Sequence, residues 1–211
     1  MRTRIKFCGM TRAGDVRFAC ELGVDAIGFV FAARSPRQLQ LHDAEPLRSA
    51  VAPLVSVVAL CMDNPASEVA RIIDVLQPSL LQFHGQENDS FCATFGLPFL
   101  KALPMHGVSV DEANAQLAQY PSAAGFIFDG HAPGAPGGSG QAFDSSQLPL
   151  GMARPWLLAG GLKPDNVATA IRSVRPWGVD VSSGIERVTG MKDGELMLQF
   201  VREVMSADGS S

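Results

Sequence analysis

The chain has 211 residues, 46% hydrophobic and 18% charged, with 17 Lys and Arg against 21 Asp and Glu for a formal net charge of −4. That balance is too apolar for a disordered chain, offers no cationic block to nucleic acid, and suits one domain or at most two small ones. The longest apolar stretch, around Val51–Met62 and broken by Pro53 and Ser56, falls short of the roughly 20 residues that cross a bilayer. The basic start Met1–Lys6 runs into a charged, Gly-containing segment instead of an apolar signal core. Cys8, Cys20, Cys61 and Cys92 form no Cys-x-x-Cys pair. Both features point to a soluble cytoplasmic protein with reduced thiols.

In chain order, short apolar runs alternate with longer amphipathic stretches. The runs are Arg4–Cys8, Ala26–Phe31, Ser56–Leu60, Leu80–His84, Phe99–Leu103, Gly125–Asp129, Trp156–Ala159 and Gly178–Val181. Most are rich in Val, Ile, Leu and Phe on both faces, as strands of a covered parallel sheet are. Between them, Thr11 can cap a helix running to Leu22, with Gly23 as its left-handed stop. Pro65 opens Ala66–Leu76, whose Val69, Ile72, Ile73 and Leu76 share one face. Pro164 opens a helix carrying Val167, Ala168 and Ile171 inward, and Asp193–Met205 repeats the pattern with Leu196, Phe200, Val201 and Val204. The spacing predicts an α/β fold, a single-domain (β/α)8 TIM barrel over residues 1–206, with a Gly/Pro-rich loop (Gly130–Ala142) after strand 6 and a frayed tail, Ala207–Ser211. An open doubly wound sheet is the alternative, and it leaves two of the eight runs without a place.

In such a barrel, chemistry gathers at the C-terminal strand ends. That rule selects Cys8, Arg37, His84, Asp129, Gly160-Gly161 and Ser182-Ser183-Gly184. The glycines after strands 7 and 8 allow backbone N–H groups to converge on phosphate oxygens, at the strands where this fold recurrently binds phosphate. Taken one at a time they also read as plain turns. The expected substrate is therefore a phosphorylated small molecule, with no nucleic acid and no membrane as partner. Cys8 alone reads as inert packing, and His84 alone as a satisfied hydrogen-bonder. Asp129 stands out because Phe126-Ile127-Phe128 places a lone carboxylate at the end of an apolar strand, with a structural Asp capping the next turn as the rival reading.

Several motifs follow one another in order: Lys6-Phe-Cys-Gly-Met-Thr11, Asp25-Ala-Ile-Gly-Phe-Val-Phe31, Ser35-Pro-Arg37, Leu81-Gln-Phe-His-Gly85, Asp129, Gly137-Gly-Ser-Gly140, Phe143-Asp144, Ala159-Gly-Gly-Leu-Lys-Pro-Asp-Asn166 and Val179-Asp-Val-Ser-Ser-Gly-Ile-Glu186. Together they closely resemble the phosphoribosylanthranilate isomerases of tryptophan biosynthesis, from residue 4 to about residue 194. The resemblance implies an Amadori rearrangement without metal or organic cofactor, with Asp129 as general acid and Cys8 as general base. It assigns Arg37 to the anthranilate carboxylate and Gly160, Gly161, Ser183 and Gly184 to the phosphate. Gly137, Gly138, Ser139 and Gly140 belong to a cover over the site, while His84 and Asp180 line it. A proton kept on Asp129 requires desolvation, which the apolar strand 6 is expected to supply. Monomer and homodimer are both open.

Alternation along strands adds one expectation that owes nothing to the family. Lys6 shares the face of Cys8, and Asp180 that of Ser182, so the two meet where strand 8 closes on strand 1. A buried Lys6–Asp180 pair is predicted there, with Lys101 and Gln82 in the same interior. The chain also departs from the family pattern. Ser145 stands where a Trp is usual, Arg187-Val-Thr-Gly190 lacks a Pro before its Gly, and the loop His131–Pro136 is long. Rival readings are another phosphosugar barrel enzyme, such as an epimerase or a thiamine-phosphate synthase, and a phosphate-binding barrel without catalysis. A metal-dependent epimerase would need several His and Asp ligands on neighbouring strand ends, and of the four histidines only His84 stands at one.

Overall fold

The computed structural model describes residues 2–130 and 152–209. Its main strands are β1 (Arg4–Cys8), β2 (Ala26–Val30), β3 (Ser56–Cys61), β4 (Leu80–Phe83), β5 (Phe99–Pro104), β6 (Gly125–Asp129), β7 (Trp156–Ala159) and β8 (Gly178–Val181). Each expected run is a strand, its end displaced by at most one residue. Every strand pairs in parallel with its sequence neighbour, and β8 returns to β1, so the sheet closes into a barrel.

Helices α1 (Ala13–Glu21), α2 (Leu41–Ser49), α3 (Ala66–Leu76), α4 (Asp89–Ala93), α5 (Val110–Ala118), α6 (Val167–Val174) and α7 (Gly194–Gly209) fill the connections. Their apolar faces and the outward residues of the strands, among them Phe7, Phe29, Phe83, Phe126 and Phe128, form the main core between sheet and helices. The inward residues alternate with these. Leu100, Ala102, Ile127, Leu157 and Ala159 pack on one side of the barrel interior, and Cys8, Val30, Ala32 and Leu60 on the other. A short antiparallel hairpin, β9 (Glu186–Val188) and β10 (Met191–Lys192), precedes α7. Among the described residues no helix is long and apolar enough to cross a membrane, and all four cysteines are free thiols.

Three local expectations need correction. The helix after β1 starts one residue later than a Thr11 cap requires; Arg12 stands at its N-cap without a side-chain bond, and the Thr11 hydroxyl donates instead to the Gly190 carbonyl. Fraying was expected from Ala207, yet α7 continues to Gly209. Ala207 is buried, and the Asp208 carboxylate accepts from the Thr3 amide at 2.8 Å and the Thr3 hydroxyl at 2.7 Å, which fastens this end of the helix to the start of β1. Lys101 is not inside the barrel. Its neighbours Leu100 and Ala102 point inward, so Lys101 faces the helices, where it meets Glu87 and the Tyr120 ring.

Candidate active site

A cavity of about 290 Å³ opens at the C-terminal ends of the strands. Cys8, Arg37, His84, Asp129, Gly160, Gly161, Asp180 and Ser183 line it. Gly184 stands just behind the wall. A Cβ there would run into the Leu162 carbonyl oxygen, so its absence lets the loop after β8 close against the loop after β7. Gly137, Gly138, Ser139 and Gly140 lie outside the described residues. A larger cleft of about 680 Å³, with Arg172, Arg175 and Trp177 on its walls, lies at the opposite end of the barrel and contains none of the candidate residues. It lies at the strand starts, the end this fold uses for stability.

Cys8 ends β1 with its side chain inward and only 5% exposed. Burial pushes its thiol above the ordinary value, against the pull of the neighbouring Lys6 ammonium. Lys6 sits one inward step below. Its Nζ donates to Asp180 Oδ1 at 2.8 Å, and both residues are buried. The strands place them there, since Lys6 and Asp180 are register partners at the β1–β8 seam. The pair expected from alternation is therefore present. Gln82 also points into this interior, and its buried Oε1 has no hydrogen-bond partner among the described residues.

Asp129 faces Cys8 from the other side of the cavity. Its surroundings differ from the expected apolar pocket, because Phe126 and Phe128 belong to the helix-facing core while Ile127 points inward. The carboxylate emerges partly exposed, with Oδ2 3.6 Å from His84 Nε2. The segment holding His84 is itself braced. The His84 amide donates to the Cys61 carbonyl at 3.0 Å, and Glu87 accepts from the Gly85 amide at 2.9 Å and the Asp63 amide at 2.7 Å. Lys101 completes the brace, donating to Glu87 Oε2 at 2.9 Å and to the Gly85 carbonyl at 2.6 Å.

Arg37 reaches the cavity, but its guanidinium is already gripped. Nε and Nη2 donate to the two oxygens of Glu186 at 2.7 and 2.6 Å, a fork-to-fork pair. Lys192 donates to the same carboxylate at 2.9 Å and to the Ser182 carbonyl at 2.9 Å. Burial alone would raise the Glu186 carboxyl, yet Arg37 and Lys192 hold it below the usual carboxylate range. Burial lowers Lys192 in spite of that partner. Behind β7, Asn166 donates to the Gly161 carbonyl and accepts from the Lys163 amide, both at 2.9 Å. After β8, the chain makes a single 3-10 turn, Ser183–Ile185. The first N–H groups of such a turn have no acceptor within it. Among the described residues no three His, Cys, Asp or Glu side chains cluster as metal ligands.

The family model for N-(5'phosphoribosyl)anthranilate (PRA) isomerase matches residues 5–203. The chain belongs to that family. A PRA isomerase of Xanthomonas euvesicatoria pv. vesicatoria is 57% identical over 211 residues, covering 98% of this chain and 95% of that protein. The phosphoribosyl anthranilate isomerase of Thermotoga maritima superposes with a TM-score of 0.86 at 31% identity, over 97% of this chain and 99% of that one. A further PRA isomerase structure, solved with reduced 1-(o-carboxyphenylamino)-1-deoxyribulose 5-phosphate, superposes with a TM-score of 0.79 at 27% identity, over 97% and 99% of the two chains.

Three groups that brace the candidate site are unmarked by any period in the sequence. Glu186 ends the last motif without an assigned task, and Lys192 sits in a two-residue strand where alternation has nothing to act on. Glu87 hides in a polar loop. Only the three-dimensional closeness of β2, β8 and the hairpin reveals that Glu186 holds Arg37.

Proposed function

We propose that the protein catalyses the Amadori rearrangement of N-(5'-phosphoribosyl)anthranilate to 1-(2-carboxyphenylamino)-1-deoxyribulose 5-phosphate in tryptophan biosynthesis, with Asp129 as general acid and Cys8 as general base. The observation that carries this reading is the placing of Cys8 and Asp129 on one cavity, at the C-terminal mouth of a PRA isomerase barrel. Asp129 gives its proton to the ribose ring oxygen. The C1–O bond breaks toward that oxygen, and the nitrogen lone pair forms the C1=N bond of a protonated Schiff base. The Cys8 thiolate then takes the C2 proton, the C–H pair becomes the C1=C2 bond, and the C=N electrons return to nitrogen. The enol-amine that results tautomerises to the ketone as its hydroxyl loses a proton and C1 gains one. General acid and base each supply about 10²–10⁴-fold when suitably placed.

Binding follows from the same geometry. Gly160, Gly161, Ser183 and Gly184 offer backbone N–H groups to the phosphate at the two adjoining loops, as anion nests do. Glu186 occupies only part of the donor set of Arg37, which leaves N–H groups of the fork for the substrate carboxylate. His84 lines the site beside the acid, its Nε2 3.6 Å from Asp129 Oδ2. We place the reaction in the cytoplasm, where the four free thiols stay reduced. This reading is compatible with a monomer and with a homodimer.

The test is a steady-state assay following loss of fluorescence of freshly made phosphoribosylanthranilate. Wild type turns the substrate over, and Cys8→Ser and Asp129→Asn each lose most of kcat. Equal turnover by all three proteins sinks the mechanism.

A further inference from the structure

Lys6 and Cys8 stand in succession on the inward face of β1, and β2 leaves a gap beside them. Gly28 is the register partner of Cys8. A Cβ built on Gly28 would lie 2.8 Å from Cys8 Sγ and 3.1 Å from Lys6 Nζ, so sulfur and ammonium border the same small space. A larger residue at 28 would push into both. On the other flank Lys6 is tied to Asp180 at 2.8 Å. Lys6 is 2% exposed and Cys8 5%, which leaves little water to screen either.

The charged groups that face Cys8 come from several elements. Lys6 lies on β1, Asp180 on β8, Lys192 on β10, and Arg37 in the segment after β2, while His84 and Asp129 stand across the cavity. They are not equal in effect. Arg37 and Lys192 are both paired with Glu186, whose carboxylate offsets their charge. Lys6 is the cation that borders the same gap as the sulfur, and of the cations around Cys8 it acts most strongly on the thiol. Burial works against its charge, yet Asp180 and Cys8 together hold the ammonium above its ordinary value, so it stays protonated. An ordinary thiol is mostly protonated at neutral pH, and burial makes the thiolate scarcer still.

We propose that Lys6 is a positioning residue for the Cys8 base, its ammonium shared between the Asp180 carboxylate and the sulfur so that the thiolate forms as an internal ion pair. This rests on the reading of Cys8 as the base. The thiol proton leaves to water, sulfur keeps the electron pair, and the substrate's C2 proton later bonds to that sulfur. Lys6 keeps its own protons throughout. Asp180 and Cys8 thus compete for one positive charge, and removing either neighbour of the sulfur moves it in an opposite direction.

The experiment is a pH titration of thiolate ultraviolet absorbance, each protein measured against its own Cys8→Ser counterpart. Cys61 and Cys92, pushed up to about 12, stay silent near neutral pH, and Cys20 cancels in the difference. Lys6→Met is expected to lower the Cys8 thiolate population at a given pH by about tenfold, one unit of titration. The acid limb of kcat/KM should move up in step. Asp180→Asn is expected to shift the titration down, and Lys6→Arg to keep it near wild type. Should Lys6→Met fail to fold, the direction in Asp180→Asn decides: an upward or absent shift overturns the proposal. An unmoved titration in folded Lys6→Met, with Cys8→Ser inactive, overturns the role of Lys6 alone. Full turnover by Cys8→Ser overturns the reading of Cys8 as base, and this role with it.

Discussion

Two of the buried lysine–carboxylate pairs among the described residues lie on opposite faces of the barrel sheet, and they do different things. Lys6–Asp180 is inside, at 2.8 Å, and Lys101–Glu87 is outside, at 2.9 Å. Both lysines are about equally hidden, so burial does not separate them. Their remaining partners do. Lys101 also donates to the Gly85 carbonyl and lies over the Tyr120 ring at 5.2 Å, while Glu87 accepts two backbone amides. Every bond there ties framework to framework. The inner pair has framework on one side and a reactive thiol on the cavity on the other. The same chemistry becomes a brace or a working charge according to which face of a strand carries it.

Kinetics offer the largest separation. Cys8→Ser or Asp129→Asn should cost kcat roughly 10²–10⁴-fold, with the urea midpoint little changed. The outer pair should answer in stability instead. Glu87→Leu leaves Lys101 buried without its counter-charge and should lower the unfolding free energy by about 3–5 kcal/mol, read by urea denaturation. The Cys8 titration of that variant should stay where wild type has it. A shifted titration in Glu87→Leu would end the division between brace and working charge.

That division was only half legible in the sequence. Strands were easy to see, because a parallel sheet covered on both sides writes itself as short runs of Val, Ile, Leu and Phe. The parity of β1 was also clear, since Lys6, Cys8 and the end of the strand fix one face, and Asp180 on β8 follows by the same rule. β5 misled. Phe99–Leu103 is apolar on both sides of Lys101, so nothing local says which face is inward; the pairing with β4 and β6 decides it. Asp129 misled for a related reason. The phenylalanines that flank it in sequence point to the helices, away from the carboxylate, and His84 from another strand end is its neighbour instead. Glu186 and Lys192 depend on a hairpin too short to show a period. Alternation reports faces; it does not report which faces meet.

At the mouth of the site a smaller effect is expected. Arg37→Lys replaces a fork by a point charge, which cannot hold both Glu186 oxygens and a substrate carboxylate together. Losing one charge-assisted hydrogen bond of about 1.5 kcal/mol corresponds to roughly a tenfold rise in KM, with kcat changed less. An equal fall in kcat at constant KM would place Arg37 in the chemistry and not in binding.

The least effect, and the one that probes the mouth without substrate, is acid dependence. Arg37 and Lys192 hold the Glu186 carboxyl below the usual range, so its folded value lies under its unfolded one. Such a group contributes stability fully above the unfolded carboxylate value, about 4.3, and loses it as pH falls through the lower folded value. Glu186→Gln should therefore be less stable than wild type at neutral pH, because the two cations lose their shared counter-charge. Below the unfolded value the difference should shrink, since protonated Glu186 then resembles the amide. Urea denaturation of both proteins from neutral pH into the acid range reads this directly. A difference that stays constant with pH would mean that Arg37 and Lys192 stabilise Glu186 through shape and neutral hydrogen bonding. The mouth cluster would then belong with the Lys101–Glu87 brace, and Lys6–Asp180 would be left as the one pair whose charge does work.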